Sequence, residues 1–193
     1  MNFCSQCGRP VVQRIPSDDN LPRYVCLSCG AIHYENPRVV VGCIPIWQGR
    51  ILMCRRNIEP RKGYWTLPAG FLENGETTSA GARRETLEET GAVAVDLVPY
   101  LMVDIVHIHQ IYLMFRARLQ APDFHPTRES AEVELVREAD IPWREIAFKV
   151  IEKTLRYYLH DRSGDTFSFR TDTIDKPALE LALPEAAGIR SRS

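Results

Sequence analysis

Nothing in this sequence is apolar for long enough to cross a membrane. Its longest apolar runs, Val39 to Trp47 among them, fall well short of the roughly 20 residues that a spanning helix needs. There is little net charge of either sign. Lys and Arg number 24 against 25 Asp and Glu, which leaves -1, so no global field draws the chain to nucleic acid or to an anionic membrane. The first residues, Met1-Asn2-Phe3-Cys4, lack the basic and apolar stretches of a secretory leader, and a cytoplasmic protein with reduced thiols is expected. Internal repeats and low-complexity segments are absent too. What remains is an ordinary globular composition, 45% hydrophobic and 25% charged over 193 residues. That length accommodates one domain of roughly 150 residues plus a small appendage.

A reducing compartment also argues against disulfides, so six cysteines need another reason to be present. Four fall in two pairs, Cys4-x-x-Cys7 and Cys26-x-x-Cys29, with 18 residues between the pairs and a glycine after each. Two C-x-x-C pairs at that separation are a strong signal for a tetrahedral zinc site. Residues 1–36 otherwise hold a Pro/Asp/Asn-rich middle and no apolar period, so without a metal staple they have little to fold around. Four thiolates close the tetrahedron, which makes the zinc structural. Zinc ribbons often bind nucleic acid. Residues 1–38, however, carry four Lys/Arg against three Asp/Glu and offer no basic face for phosphates, so a buttress for the main domain or a homodimer contact is favoured. Cys43 and Cys54 lie in apolar runs and read as small buried hydrophobes.

Asn36-Pro37 marks a break. Val39 to Trp47 reads as a buried strand, with Pro45 implying an edge or a bulge. Gln48-Gly49 turns it into a second strand, Ile51 to Arg55. Thr77 or Thr78 caps a helix that runs to about Thr90 and stops at Gly91. Val93 to Val106, Ile111 to Leu119 and Glu132 to Val136 read as strands. Trp143 to Asp161 carries a helical apolar period. Near the end, Thr166 to Thr171 alternates like a strand, Ala178 to Leu183 suits one or two helical turns, and Ile189 to Ser193 reads as disordered. The expected division is a ribbon over 1–36, a main α+β domain over 37–162 and an extension over 163–193 that is partly disordered or forms an interface.

The most informative stretch is Gly70-x5-Glu76-x7-Arg84-Glu85-Thr86-Leu87-Glu88-Glu89-Thr90-Gly91. On a helix, Glu88 and Glu89 fall within about 60° of Glu85. Three like charges on one face repel each other unless a hard divalent cation takes them as oxygen ligands and keeps positions free for water and phosphate. A carbonyl from the loop at Gly70 can add a ligand. Gly70 and Gly75 suggest a loop that doubles back onto the helix, with Arg84 and Glu76 tying the two together. Ala80 and Leu87, seven apart, are expected to anchor the opposite face in the core.

This stretch resembles the Nudix box, whose polar and glycine positions are all matched. Thr86 and Ala92 stand where the family has bulky aliphatic residues, a departure that touches packing. The resemblance implies a Nudix αβα sandwich with a small N-terminal zinc ribbon. It also implies catalytic or metal-binding roles for Glu85, Glu88 and Glu89, and supporting roles for Arg84 and Glu76. Two Nudix groups carry such a ribbon. The run typical of bacterial NADH pyrophosphatases after the box is missing here, and Val103 to Gln110 stands in its place. The ribbon from Cys26 to Pro37, the Leu67-Pro68-Ala69-Gly70 approach and the segment Pro126 to Glu132 look instead like plant plastid FAD and ADP-ribose pyrophosphatases and their bacterial relatives.

That resemblance implies hydrolysis of the diphosphate in a dinucleotide or nucleotide sugar such as FAD, ADP-ribose or NADH, with Mg²⁺ or Mn²⁺ as cofactor beside the structural Zn²⁺. The rivals are a triphosphate-cleaving housekeeping Nudix enzyme and a ligand-sensing regulator that binds DNA. Glu129 and Glu132 follow a loop similar to the family's later metal and base position, and Glu132 is expected as an added magnesium ligand. The base stays open among Glu88, Glu89 and Glu132. Arg55 and Arg56 end a strand aimed at the box and are candidates, with Gly70, for holding the diphosphate. His107 and His109 are read on one face of a strand, and Trp65, Phe71 and Tyr112 as core or base-stacking aromatics.

Overall fold

The computed structural model describes residues 1–175. Residues 1–36, which have little apolar material to fold around, carry a three-stranded antiparallel sheet: β1 (Val11–Arg14), β2 (Arg23–Cys26) and β3 (Ile32–His33). Val25 is the one Val, Ile or Leu buried in it, so apolar burial alone cannot hold these strands.

The main sheet is built from β4 (Arg38–Trp47), β5 (Arg50–Arg56), β6 (Trp65–Thr66) and β7 (Ala69–Phe71), then β8 (Ala94–Ile105), β9 (Gln110–Leu119), β10 (Ser130–Val136) and β11 (Arg170–Thr173). Helix α1 (Thr78–Thr90) follows β7 and α2 (Lys149–Ser163) follows β10. The strand order is β10-β5-β4-β9-β8-β11, with β6 on β5 and β7 on β4. The pairs β4–β9 and β8–β11 are parallel. Val41 and Cys43 of β4 cluster with Ala82 of α1, whereas Ile44 clusters with Val150, Ile151 and Leu155 of α2. Neighbouring strand residues point to opposite faces, and both faces are covered, which is why β4 reads as an unbroken apolar run. This is an αβα sandwich of the α+β class. Truncating a fully buried side chain such as Leu155 to alanine costs about 2–5 kcal/mol in a core of this kind.

One irregularity positions the site. β4 and β5 pair only beside their turn, Ile46 with Ile51 and Trp47 with Arg50, and then diverge. β6 lines one side of the resulting gap and β7 the other. Pro45 falls between the β7 pairing, which ends at Gly42, and the β5 pairing, which begins at Ile46. Of the edge or bulge expected at Pro45, the structure has a local edge: β4 is central to the sheet, but the missing N–H of Pro45 sits where no ladder bond is lost,.

Three expectations change. Ala80 and Leu87 do not anchor α1, since both are exposed. The buried face is Gly81, Ala82, Glu85, Thr86, Glu89 and Thr90, and the Thr86 hydroxyl satisfies itself by donating to the Ala82 carbonyl at 2.8 Å. The helix expected from Trp143 begins only at Lys149. Before it, the Ala147 N–H donates to the Trp65 carbonyl at 2.8 Å, which holds the chain extended against β6 while the apolar spacing continues. His107 and His109 are not on a strand. They lie at the β8–β9 turn, with His109 at a left-handed φ of 53°.

The described part of the C-terminal extension joins the sheet, as β11 pairs with β8 from Arg170 opposite Leu101 to Thr173 opposite Asp104. Lys153 and the Tyr157 hydroxyl both bind the Asp172 carboxylate, and Arg170 binds Asp161. The helical turns expected over 178–183 and the disorder expected over 189–193 lie outside the described residues. Among the described residues, no helix is long and apolar enough to cross a membrane.

Candidate active site and zinc site

Thr77 caps α1, its hydroxyl accepting from the Ala80 N–H at 3.2 Å, and Gly91 ends the helix at a left-handed φ of 72°. The turn before α1 is fixed from within. Arg84 grips Glu76 with two parallel bonds of 3.1 and 2.7 Å, and also donates to the Phe71 carbonyl at 3.1 Å. The guanidinium holds the Glu76 carboxyl down to about 2. A Cβ at Gly70 would displace the Glu85 carboxylate.

The three helix glutamates differ in environment. Glu88 is exposed, while Glu85 and Glu89 are 9% and 8% exposed. The Arg84 Nη1 lies between Glu85 and Glu88, donating to the first at 2.7 Å and to the second at 3.0 Å. Burial pushes the Glu85 carboxyl upward against the pull of Arg84. Glu89 reaches into the gap between β4 and β5. There it accepts from the Ala69 N–H at 3.2 Å and from the Cys54 thiol at 3.7 Å. It has no cationic partner within ion-pair distance among the described residues, and burial raises it to about 8. A buried carboxylate with so little compensation is costly when ionised. An all-oxygen donor set at the mouth of a Gly-containing loop suits a hard divalent cation, which would supply the missing positive charge.

Alternation along β5 separates Arg55 from Arg56. Arg55 donates to the Gly63 carbonyl at 2.7 Å and to Glu132 at 2.9 Å. Arg56 bonds the Pro60 carbonyl at 2.8 Å and stacks over Phe148 at 5.2 Å. Its positive charge is felt by Glu89 on one side and Tyr112 on the other. Glu132 thus stands with Arg55, whereas Glu129 is the nearby carboxylate whose charge reaches both Glu85 and Glu89. Trp65, at 8% exposed, belongs to the core; Phe71, at 44%, is open to solvent.

The loop carrying Glu129 is docked by residues that sequence reasoning did not single out. The Thr127 hydroxyl donates to the Glu89 carbonyl at 3.2 Å and accepts from the Glu129 N–H at 3.3 Å and the Ser130 N–H at 3.2 Å. The Asn57 N–H donates to the Glu129 carbonyl at 2.7 Å. Thr127 therefore links the Glu129 backbone to the end of the glutamate helix. The sequence signal was a Thr–x–x–Ser turn close to an acidic residue, a pattern too common to stand out.

At the other end, the Sγ atoms of Cys4, Cys7, Cys26 and Cys29 all lie within 4.8 Å of one another. Cys4–Cys29 is 3.7 Å and Cys7–Cys26 is 3.5 Å, while a tetrahedron of Zn–S bonds of about 2.3 Å would place its sulfurs about 3.8 Å apart. Gly8 and Gly30 have left-handed φ values of 70° and 75° and close the two knuckles by donating to the Cys4 and Cys26 carbonyls at 2.9 Å. The His33 ring, also unforeseen, lies 3.3 Å from the Cys4 sulfur through Nε2. The donor set fits zinc.

Comparison with known proteins agrees with this layout. A family model described as "Nudix N-terminal" matches residues 2–35. An NAD-capped RNA hydrolase NudC from Chromobacterium violaceum is 32% identical over 133 residues, 68% of this chain and 47% of that protein. An ADP-ribose pyrophosphatase from Methanocaldococcus jannaschii is 42% identical over 60 residues, 31% of this chain and 36% of that protein. The chain spans about half or less of the length of these curated relatives. The crystal structure of a NUDIX hydrolase from Nitrosomonas europaea superposes with a TM-score of 0.88 at 50% identity, covering 91% of this chain and 100% of that one. The NUDIX domain model itself matches residues 36–156, from the start of the main sheet well into α2, and the chain belongs to the NUDIX family.

Proposed function

We propose that this protein hydrolyses the diphosphate linkage of a dinucleotide or nucleotide sugar, of the class of FAD, ADP-ribose and NADH, with Mg²⁺ or Mn²⁺ held by Glu85, Glu88 and Glu89. The observation that carries this reading is Glu89, a buried carboxylate without a cationic partner among the described residues, beside a second buried carboxylate, Glu85, at a glycine loop. The relatives named for NAD-capped RNA and for ADP-ribose support the substrate class, because NAD and ADP-ribose share an adenosine diphosphate. A bound divalent cation would neutralise the diphosphate and acidify a water molecule for in-line attack. The chain's own residues orient and deprotonate. Arg84 holds the box turn through Glu76, Arg56 offers a guanidinium near the gap, and Glu129 takes the part expected of Glu132, as added ligand or proton acceptor. Zn²⁺ in the ribbon is structural. Six free thiols suit a reducing compartment, and we assign the protein to the cytoplasm.

Steady-state kinetics on FAD, ADP-ribose, NADH and the common nucleoside triphosphates, with products resolved by chromatography, tests the reading. The expected result is kcat/KM at least tenfold higher for a dinucleotide or nucleotide sugar, since two flanking halves supply binding energy for orienting the diphosphate. A triphosphate turned over as well or better, with release of pyrophosphate, overturns it. The Thr127 linkage gives a second check. Thr127→Ala is expected to lower kcat about 10- to 100-fold, as loss of a supporting hydrogen bond does around metal sites, and Thr127→Ser to restore most of it. An unchanged kcat in Thr127→Ala removes the loop carrying Glu129 from the reaction.

A further inference from the structure

A cleft of about 620 Å³ separates the zinc ribbon from the main sheet. Its walls come from both sides. Gln13, Arg23, Tyr24 and His33 face it from β1 to β3, and Arg38 and His109 from the start of β4 and the β8–β9 turn. The Arg38 N–H donates to the His109 carbonyl at 2.9 Å, which joins the turn to the strand. The chemistry of the walls suits a nucleoside. On the sheet side the Arg38 guanidinium stacks on Phe71 at 5.1 Å, and on the ribbon side the Tyr24 ring shares a face with its register partners Gln13 and His33. Such planes accept a base face. The Gln13 and Asn36 amides offer paired donors and acceptors for a base edge. The one wall carboxylate, Glu35, is 3.8 Å from the N-terminal ammonium, so the cleft has no strong negative field.

The cleft also leads to the glutamates. Val40 is the register partner of Phe71 on one side and of Tyr112 on the other. Arg38 lies two residues before Val40, so Arg38, Phe71 and Tyr112 share one face of the sheet. Phe71 directly follows Gly70, whose backbone abuts Glu85. Gly70 pairs with Val41, on the face that packs against Ala82 of α1, so β7 passes from the cleft face to the glutamate face within two residues,. We propose that the ribbon–sheet cleft receives the second nucleoside of a dinucleotide substrate while its diphosphate lies at the glutamates. The ribbon then sets specificity for substrates that have a nucleoside on each side of the diphosphate. This rests on the hydrolase reading above.

The test compares NADH, which carries two nucleosides, with ADP-ribose, which carries one, and with AMP. Binding is measured by calorimetry on zinc-loaded protein without added Mg²⁺, and hydrolysis with Mg²⁺. The variants are Arg38→Ala and Gln13→Ala, both at exposed positions, with zinc content and Tm recorded as folding controls. The expected result is that each variant lowers the NADH-to-ADP-ribose ratio about tenfold, in affinity and in kcat/KM, chiefly through KM. Equal losses on both ligands, or none on either, overturn the proposal. A loss confined to AMP also overturns it, because the cleft then serves a free mononucleotide. If the wild type hydrolyses neither substrate while the binding ratio still falls, the hydrolase reading fails and the nucleoside seat stands.

Discussion

Replacing Glu89 with Gln is expected to lower kcat at least a thousandfold, about 4 kcal/mol of barrier, and at the same time to stabilise the protein in the absence of divalent cations. Both effects have one origin. Glu89 is buried, accepts side-chain hydrogen bonds among the described residues from the Ala69 N–H and the Cys54 thiol, and is raised by burial to about 8. For an acid whose folded value lies above its unfolded value, the fold favours the protonated form. The penalty is absent below the ordinary carboxylate range near 4.5, grows as the pH rises and is complete above about 8,. Gln keeps the shape and removes the charge, so the metal-free variant should melt above the wild type at pH 9 and together with it at pH 4. Turnover with saturating Mg²⁺ and melting curves at the two pH values check the pair of effects. Lost turnover without any gain in stability at high pH would mean that Glu89 is compensated by a cation the fold already supplies. Retained turnover would remove Glu89 from the chemistry.

The second large effect is in the ribbon. Cys26→Ser removes one thiolate from a site whose four sulfurs lie within 4.8 Å of one another. Structural zinc sites are worth on the order of 10 kcal/mol to the segment that they organise, and three short strands around a single buried Val25 hold nothing comparable in reserve. Zinc is expected to fall from about one per chain to below a tenth, and amide exchange over residues 1–36 to approach that of an unfolded chain. The main sheet has its own core on both faces and should keep its protection. Elemental analysis with exchange mass spectrometry reads both outcomes. Intact protection of residues 1–36 without zinc would contradict the structural role. Excess Mg²⁺ should not restore the wild-type pattern, because a hard cation prefers oxygen to sulfur.

Features held in short stretches of sequence could be read directly. The cysteine pairs carry their spacing with them, and the run from Gly70 to Gly91 states its own helix, cap and charge pattern. Features that depend on several strands meeting could not. Ala80 and Leu87 have the right spacing for a core face, yet the sheet packs against the neighbouring stripe through Ala82 and Thr86, because Glu85 and Glu89 must lie along the gap between β4 and β5. Pro45 looked like the mark of an edge or a bulge, and only the divergence of that pair shows why a central strand tolerates it. Glu129 and Glu132 are three residues apart. Our proposal of Glu129 over Glu132 rests on a register: Glu132 pairs with Arg55 across the β10–β5 ladder, while Glu129 precedes the strand on the loop that Thr127 fastens to the end of α1. The helical period over Trp143 to Asp161 ran on past the true start at Lys149, because the segment before it meets β6. His33 beside Cys4 and Cys54 beside Glu89 are contacts across 29 and 35 residues, which no local pattern could announce.

Cleavage by the glutamate helix of a diphosphate flanked on both sides is tested most directly by one competition experiment. ADP-ribose and a nucleoside triphosphate at equal concentration are given to the zinc-loaded protein with Mg²⁺, and the disappearance of each is followed by chromatography, so that the ratio of rates reads the ratio of kcat/KM. ADP-ribose is expected to be consumed at least tenfold faster, yielding AMP and ribose 5-phosphate, and EDTA to stop the reaction. Faster consumption of the triphosphate with release of pyrophosphate, or turnover unaffected by EDTA, would contradict it.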